Sequence, residues 1–257
     1  MLEIIAIPAF RDNYIWALRA GHEAVVVDPG DAAPVLAWLA QENVALKGIL
    51  ITHHHQDHQG GVAGLLDRDP GLPVFGPAAE SITGLNRPLA GGETLQVLGL
   101  PVQVWAVPGH TRGHLAYLLE DYQFEDALFC GDTLFGAGCG RLFEGTPEQM
   151  FQAMEKIAAL PDNTRIFCAH EYTLQNLAFA ALVEPENPAI LARIEACERL
   201  RQLGQATVPS TLAEEKATNP FLRHGVQAVA ARARERNPEA LLPVQVFATL
   251  RAWRDEF

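Results

Sequence analysis

The sequence predicts an α/β fold for its first two-thirds and an all-helical region after it. Three observations carry this expectation: β-rich runs separated by turns up to about residue 170, helical patterns set among them, and almost no strand signal beyond that point. With 49% hydrophobic and 19% charged residues, a chain of 257 can build one large or two modest cores.

Taken in order, the strand signals are "LEIIAI", "YIWALRA", "EAVVVD", "LKGILIT", "LPVFG", "ETLQVL", "VQVWAVP", "HLAYLLE", "DALFCGD" and "TRIFCAH". The helical patterns among them are "APVLAWLAQE" and "PEQMFQAMEKIAAL". After residue 171 apolar residues recur every three or four positions in "LQNLAFAALV", "PAILARIEACERLRQL", "GVQAVAARARE" and "VQVFATLRAWR", interrupted by "PENP", "ATVPS" and "NPE". The expected division is therefore 1–170 and 171–257.

Charge and targeting signals narrow the function. A formal net charge of −12 with no Lys/Arg run offers no general attraction for nucleic acid or anionic membranes. The opening "MLEIIAIPAF" carries an acid where a secretory signal would carry basic residues, and no segment reaches about 18 unbroken apolar residues. A cytoplasmic location is expected. Cys130, Cys139, Cys168 and Cys197 lack C-x-x-C pairing and read as reduced core thiols.

The chemistry concentrates in "LITHHHQDHQGG". His53, His54, His55, Asp57 and His58 follow an apolar strand and precede Gly60 and Gly61. A loop leaving a strand can aim several imidazoles and a carboxylate at one ion, whereas helical i, i+4 spacing aims only two; a polar surface turn is the plainer alternative. His110 in "VPGHTRGH", Asp132 in "LFCGDTLF" and His170 in "IFCAHEYT" each stand at a strand end. One such residue alone is an ordinary cap or turn. Together with His53, His55, Asp57 and His58 they make seven donors from four loops, enough for two ions with one carboxylate shared.

The pattern in "THHHQDHQGG", with isolated His, Asp and His at this spacing, resembles the metallo-β-lactamase superfamily. The fuller set "IPAFRDNYIW", "VVVDPGD", "PGHTRGH", "GDTLFGAGCGRLFEG" and "CAHEYTLQN" is similar to the glyoxalase II, or hydroxyacylglutathione hydrolase, family. The resemblance implies an αββα sandwich followed by a smaller all-helical domain, and two divalent ions: zinc first, with iron and manganese also suited to the donors. It assigns His53, His55 and His110 to one ion, Asp57, His58 and His170 to the other, and Asp132 to both. His54 and His114 would point elsewhere, and Asp28 would steady a ligand imidazole.

The same resemblance implies a hydroxide held between the ions, oriented by Asp57, that attacks a glutathione thioester such as S-D-lactoylglutathione and releases glutathione and D-lactate. Glutathione contacts would fall to Arg141, Tyr172, Arg251 and Arg254, with Phe143 at a position where some members have tyrosine. Arg141 and Arg254 stand where lysine is common, and guanidinium and ammonium are not equivalent donors. A monomer is expected. Rival readings are another hydrolase on this scaffold, an iron-dependent persulfide dioxygenase acting on a glutathione substrate, and a metal-binding module without catalysis.

Overall fold

A computed structural model describes residues 2–122 and 125–257. The chain forms two compact units, Met1–Val107 with Arg112–Gly131, and Pro108–Thr111 with Asp132–Phe257.

The first unit runs β1 (Leu2–Ala9), β2 (Asn13–Ala20), β3 (Glu23–Val27), α1 (Ala32–Glu42), β4 (Ala45–Leu50), α2 (Gln56–Gln59), α3 (Val62–Leu66), β5 (Val74–Pro77), β6 (Arg87–Leu89), β7 (Thr94–Val97), β8 (Leu100–Ala106), β9 (Leu115–Tyr122) and β10 (Glu125–Gly131). One sheet has the order β1-β2-β3-β4-β5-β6, antiparallel through β3 and parallel after it. The change of direction follows from α1, which carries the chain back from the end of β3 to the start of β4. Four more strands pair antiparallel in the order β10-β9-β8-β7.

Alternation buries both faces of the first sheet. Ile15, Ala17, Val26, Ile49 and Ile51 share a core cluster with Val35, Val62 and Leu65 of the helices. Trp16, Leu18, Val25, Val27 and Leu50 are buried as well. Each buried Val, Leu or Ile among them contributes about 1.5–3 kcal/mol by leaving water. Tyr117 of β9 reaches across to donate its hydroxyl to the Ile51 carbonyl at 2.7 Å. Asp31 caps α1 by accepting from Ala33 N, and Asn43 ends it in the left-handed region.

The second unit holds β11 (Leu134–Phe135), β12 (Gly138–Cys139), α4 (Pro147–Ala158), β13 (Arg165–Cys168), α5 (Thr173–Val183), α6 (Pro188–Gln202), β14 (Ser210–Thr211), α7 (Leu212–Thr218), α8 (Gln227–Arg236) and α9 (Pro243–Glu256). Helix starts are marked by Thr146 and Gln149 on α4 and by Thr211 and Glu214 on α7, both reciprocal capping boxes. Asn187 caps α6 ahead of Pro188. Ala137, Leu177, Ala180, Ile190 and Cys197 form one cluster, while Phe179 meets Phe221 and Trp253 ring to ring. All four cysteines are buried free thiols. Among the described residues no helix is long and apolar enough to cross a membrane.

The expected strands and long helices are present. Sequence reading missed β6, β11, β12, β14, α2, α3 and α7, which are too short to show a period. The pair β13–β14 also places one strand beyond residue 171.

Candidate metal centre and substrate pocket

In the first unit the His/Asp-rich segment leaves the end of β4 and is fixed at its root by Asp28. That residue follows β3 in the left-handed region, at φ 52°, which aspartate tolerates better than most residues. One Asp28 oxygen accepts from Thr52 N at 2.7 Å; the other accepts from the Thr52 hydroxyl at 2.7 Å and lies 3.0 Å from His58 Nδ1. The Thr52 hydroxyl, its proton given to Asp28, accepts in turn from His53 Nδ1 at 3.0 Å. Both imidazoles are thereby held in the tautomer that presents a lone pair at Nε2.

His53 Nε2 lies 3.0 Å from His55 Nδ1, and His58 Nε2 lies 3.6 Å from an Asp57 oxygen. The loop reading of this stretch needs correction at its far end, because Asp57 and His58 sit on the single-turn α2, with His55 as its N-cap. His54 turns to Glu80, whose buried carboxylate accepts from His54 N at 2.7 Å and faces His54 Nδ1 at 3.0 Å. His114 stacks on His53, ring centroids 4.7 Å apart and 19° from parallel. Gly131 at φ +48° lies so close that a Cβ would fall 2.4 Å from Thr52 Oγ1 and 2.9 Å from His114 Cε1.

Sequence reading gave no role to Glu80, Gln59 or Asn13. Gln59 ties the segment down by donating to the carbonyls of His54 and Ser81 and accepting from Thr83 N. Asn13 donates to Asp57. Apart from the Gln59–His54 contact, these partners lie 22 to 44 residues apart, beyond the reach of any local pattern.

In the second unit His110, Asp132 and His170 come together. Asp132 presents one oxygen to each imidazole: Oδ2 is 3.4 Å from His110 Nε2, and Oδ1 is 3.4 Å from His170 Nε2. His110 Nδ1 donates to the Arg141 carbonyl at 2.7 Å, so it too presents Nε2. Ligands bonded at about 2.0–2.1 Å to a tetrahedral ion stand roughly 3.3–3.4 Å apart. The separations of 3.0, 3.6, 3.4 and 3.4 Å within the two groups bracket that edge. Neutral imidazole and carboxylate are also the donor types that zinc, iron and manganese accept. The residues fit divalent ions.

A cavity of about 280 Å³ in the second unit is lined by Phe135, Arg141, Tyr172, Asn176, Arg251, Arg254 and Asp255, among others. Tyr172 stacks on His170, centroids 4.7 Å apart at 8°. Arg141 is exposed, 3.5 Å from Asp255 and 5.8 Å from the ring of the exposed Phe143. Arg254 donates to Asn176 Oδ1 at 3.4 Å between the rings of Phe179 and Phe257. Burial and the Arg251 charge hold its pKa below the usual arginine value. Arg251 is buried, its Nη groups donating to the Cys139 carbonyl at 2.8 Å and to Asp255 at 3.0 Å.

Residues 9–170 match the family model of the metallo-beta-lactamase superfamily, and residues 171–257 match that of the hydroxyacylglutathione hydrolase C-terminus. A hydroxyacylglutathione hydrolase of Dechloromonas aromatica (strain RCB) is 55% identical over 271 residues, covering 100% of both chains. The chain belongs to the hydroxyacylglutathione hydrolase family. Two crystal structures share its fold. ETHE1 from Myxococcus xanthus is 24% identical with a TM-score of 0.64, over 99% of this chain and 98% of that one. TTHA1623 in a di-iron-bound form is 27% identical with a TM-score of 0.54, over 65% and 91%. As a hydroxyacylglutathione hydrolase family member the chain has a metallo-β-lactamase α/β fold followed by a helical region, and its His/Asp groups suggest a binuclear metal site.

Proposed function

We propose that this chain hydrolyses S-2-hydroxyacylglutathione thioesters, S-D-lactoylglutathione among them, to glutathione and a 2-hydroxy acid. The observation that carries the reading is Asp132, whose two oxygens face two different imidazoles at 3.4 Å each, an arrangement that would let one carboxylate serve two ions. His53, His55 and His110 are the ligands of one divalent ion and Asp57, His58 and His170 of the other, with zinc as the first candidate metal. The D. aromatica relative's name and the di-iron form of TTHA1623 support the reading.

Bound ions supply acidified water at neutral pH and positive charge for the oxygen of the thioester carbonyl. The remaining work belongs to the side chains. Asp57 orients the attacking water and takes its proton; water oxygen bonds to the acyl carbon, the C–S bond breaks, and the thiolate leaves to be protonated to the glutathione thiol. Arg141 and Arg254 bind the anionic glutathione part against the net charge of −12, with Tyr172 adding a phenol donor and Phe143 an apolar edge. Arg251, its Nη groups taken up by Cys139 and Asp255, shapes the cavity wall and contributes charge.

In this reading residues 1–170 carry the metal ligands and 171–257 most of the substrate contacts, the protein acts as a monomer, and the four buried free thiols suit the reducing cytoplasm. Purified protein with counted metal should hold two ions per chain and release thiol from S-D-lactoylglutathione. A fully metal-loaded protein without turnover rejects the proposal.

A further inference from the structure

The segment "IPAFRDNYIW" has no part in the reaction as described so far. It forms the β1–β2 hairpin, closed by the pairing of Ala9 with Asn13. Phe10 starts the turn at φ 51°, a rare conformation for an aromatic residue. Asn13, buried, extends its amide to a residue 44 positions away, where Nδ2 lies 3.0 Å from Asp57 Oδ2 and 3.4 Å from the Asp57 backbone carbonyl. An amide nitrogen carries two hydrogens, so one group can hold both the main chain and the carboxylate of the same residue. Gly30 closes the other side: a Cβ there would fall 1.9 Å from the Asp57 carbonyl oxygen and 2.9 Å from the Phe10 ring.

We propose that Asn13 is a positioning residue that fixes the rotation of the Asp57 carboxylate for its second-ion role. An amide suits this task because it donates without bringing a positive charge that would compete with the ion for the carboxylate. Without the donor, the carboxylate of Asp57, which sits at the start of a single helical turn, loses the contact that fixes its Oδ2. The inference rests on Asp57 being a ligand.

Asn13→Ala removes the donor and some volume; Asn13→Asp keeps the volume and replaces the donor with a like charge facing Asp57. Affinity for the second ion, titrated with zinc against a competing chelator, should fall about 10–100-fold in N13A and further in N13D, with kcat falling more than KM changes. A packing role alone predicts the reverse order, with the isosteric N13D milder than N13A. That order, or two ions held with parental affinity in both variants, overturns the proposal. Asp57→Asn in parallel separates the two claims. If D57N loses the second ion while N13D keeps it, only the role of Asn13 fails; if both keep it, the ligand assignment of Asp57 fails with it.

Discussion

Removing the Glu215 side chain should damage both stability and substrate binding. Glu215 is fully buried on α7, and its carboxylate accepts from four groups: Arg193 Nη2 at 2.6 Å, Ser210 Oγ at 2.7 Å, Ala137 N at 2.8 Å and Asn219 Nδ2 at 3.0 Å. Burial disfavours the Arg193 cation, but the charge and hydrogen bond of Glu215 outweigh it and leave the Arg193 pKa raised. Glu215→Ala strands that guanidinium in the interior, an effect of about 3–5 kcal/mol for a broken buried pair. At about 2–4 °C per kcal/mol for chains of this size, melting should drop by roughly 6–20 °C. The same carboxylate holds Ala137, at φ 55° between β11 and β12, and Asn219 ties the Gly138 carbonyl at 2.9 Å. Phe135 and Cys139 of that hairpin line the cavity, so KM should rise as well. Thermal and urea unfolding of E215A and of the apolar double variant R193M/E215L, together with steady-state kinetics, test this. The double variant should recover much of the lost stability, since it leaves no lone charge. An E215A protein within about 1 kcal/mol of the parent, or a double variant no better than E215A, would refute the reasoning.

Two further outcomes are expected. Arg254→Ala should raise KM for a glutathione thioester about 10- to 100-fold, the scale of a lost charged hydrogen bond, with little change in kcat because the contact is remote from the reacting carbon; steady-state kinetics showing a fall in kcat alone would count against it. The four thiols should resist alkylation by iodoacetamide at pH 8 in the folded protein and all react in urea, because burial shields them and pushes the Cys168 thiol up to about 12. Mass spectrometry of the native protein carrying a stoichiometric label would contradict that.

What could be read from the sequence followed from period and chemistry. Runs such as "EAVVV" and "ALKGIL" show β-branched, apolar character along their own length, and the candidate metal donors stand out because imidazoles and carboxylates rarely gather at strand ends without cause. What could not be read depends on contacts far apart in sequence. Nothing local distinguishes Glu80 or Glu215 from a solvated acid; each acquires its role only once folding surrounds it with donors from other segments. Arg251, expected from the resemblance to contact glutathione, is buried with its Nη1 on the Cys139 carbonyl 112 residues away, a contact that no local pattern announces. Two-residue strands such as β11 and β12 are below the length at which alternation means anything.

The position of the seven donors along the chain has an evolutionary consequence. His53 through His170 all precede residue 171, while Tyr172, Arg251 and Arg254 all follow it. Under the proposed assignments, a recombination joint placed just after His170 would pass on all seven candidate metal donors and discard three of the five candidate glutathione contacts. One hydrolytic core can in this way acquire a new clientele by exchanging its tail, without any ligand having to be reinvented.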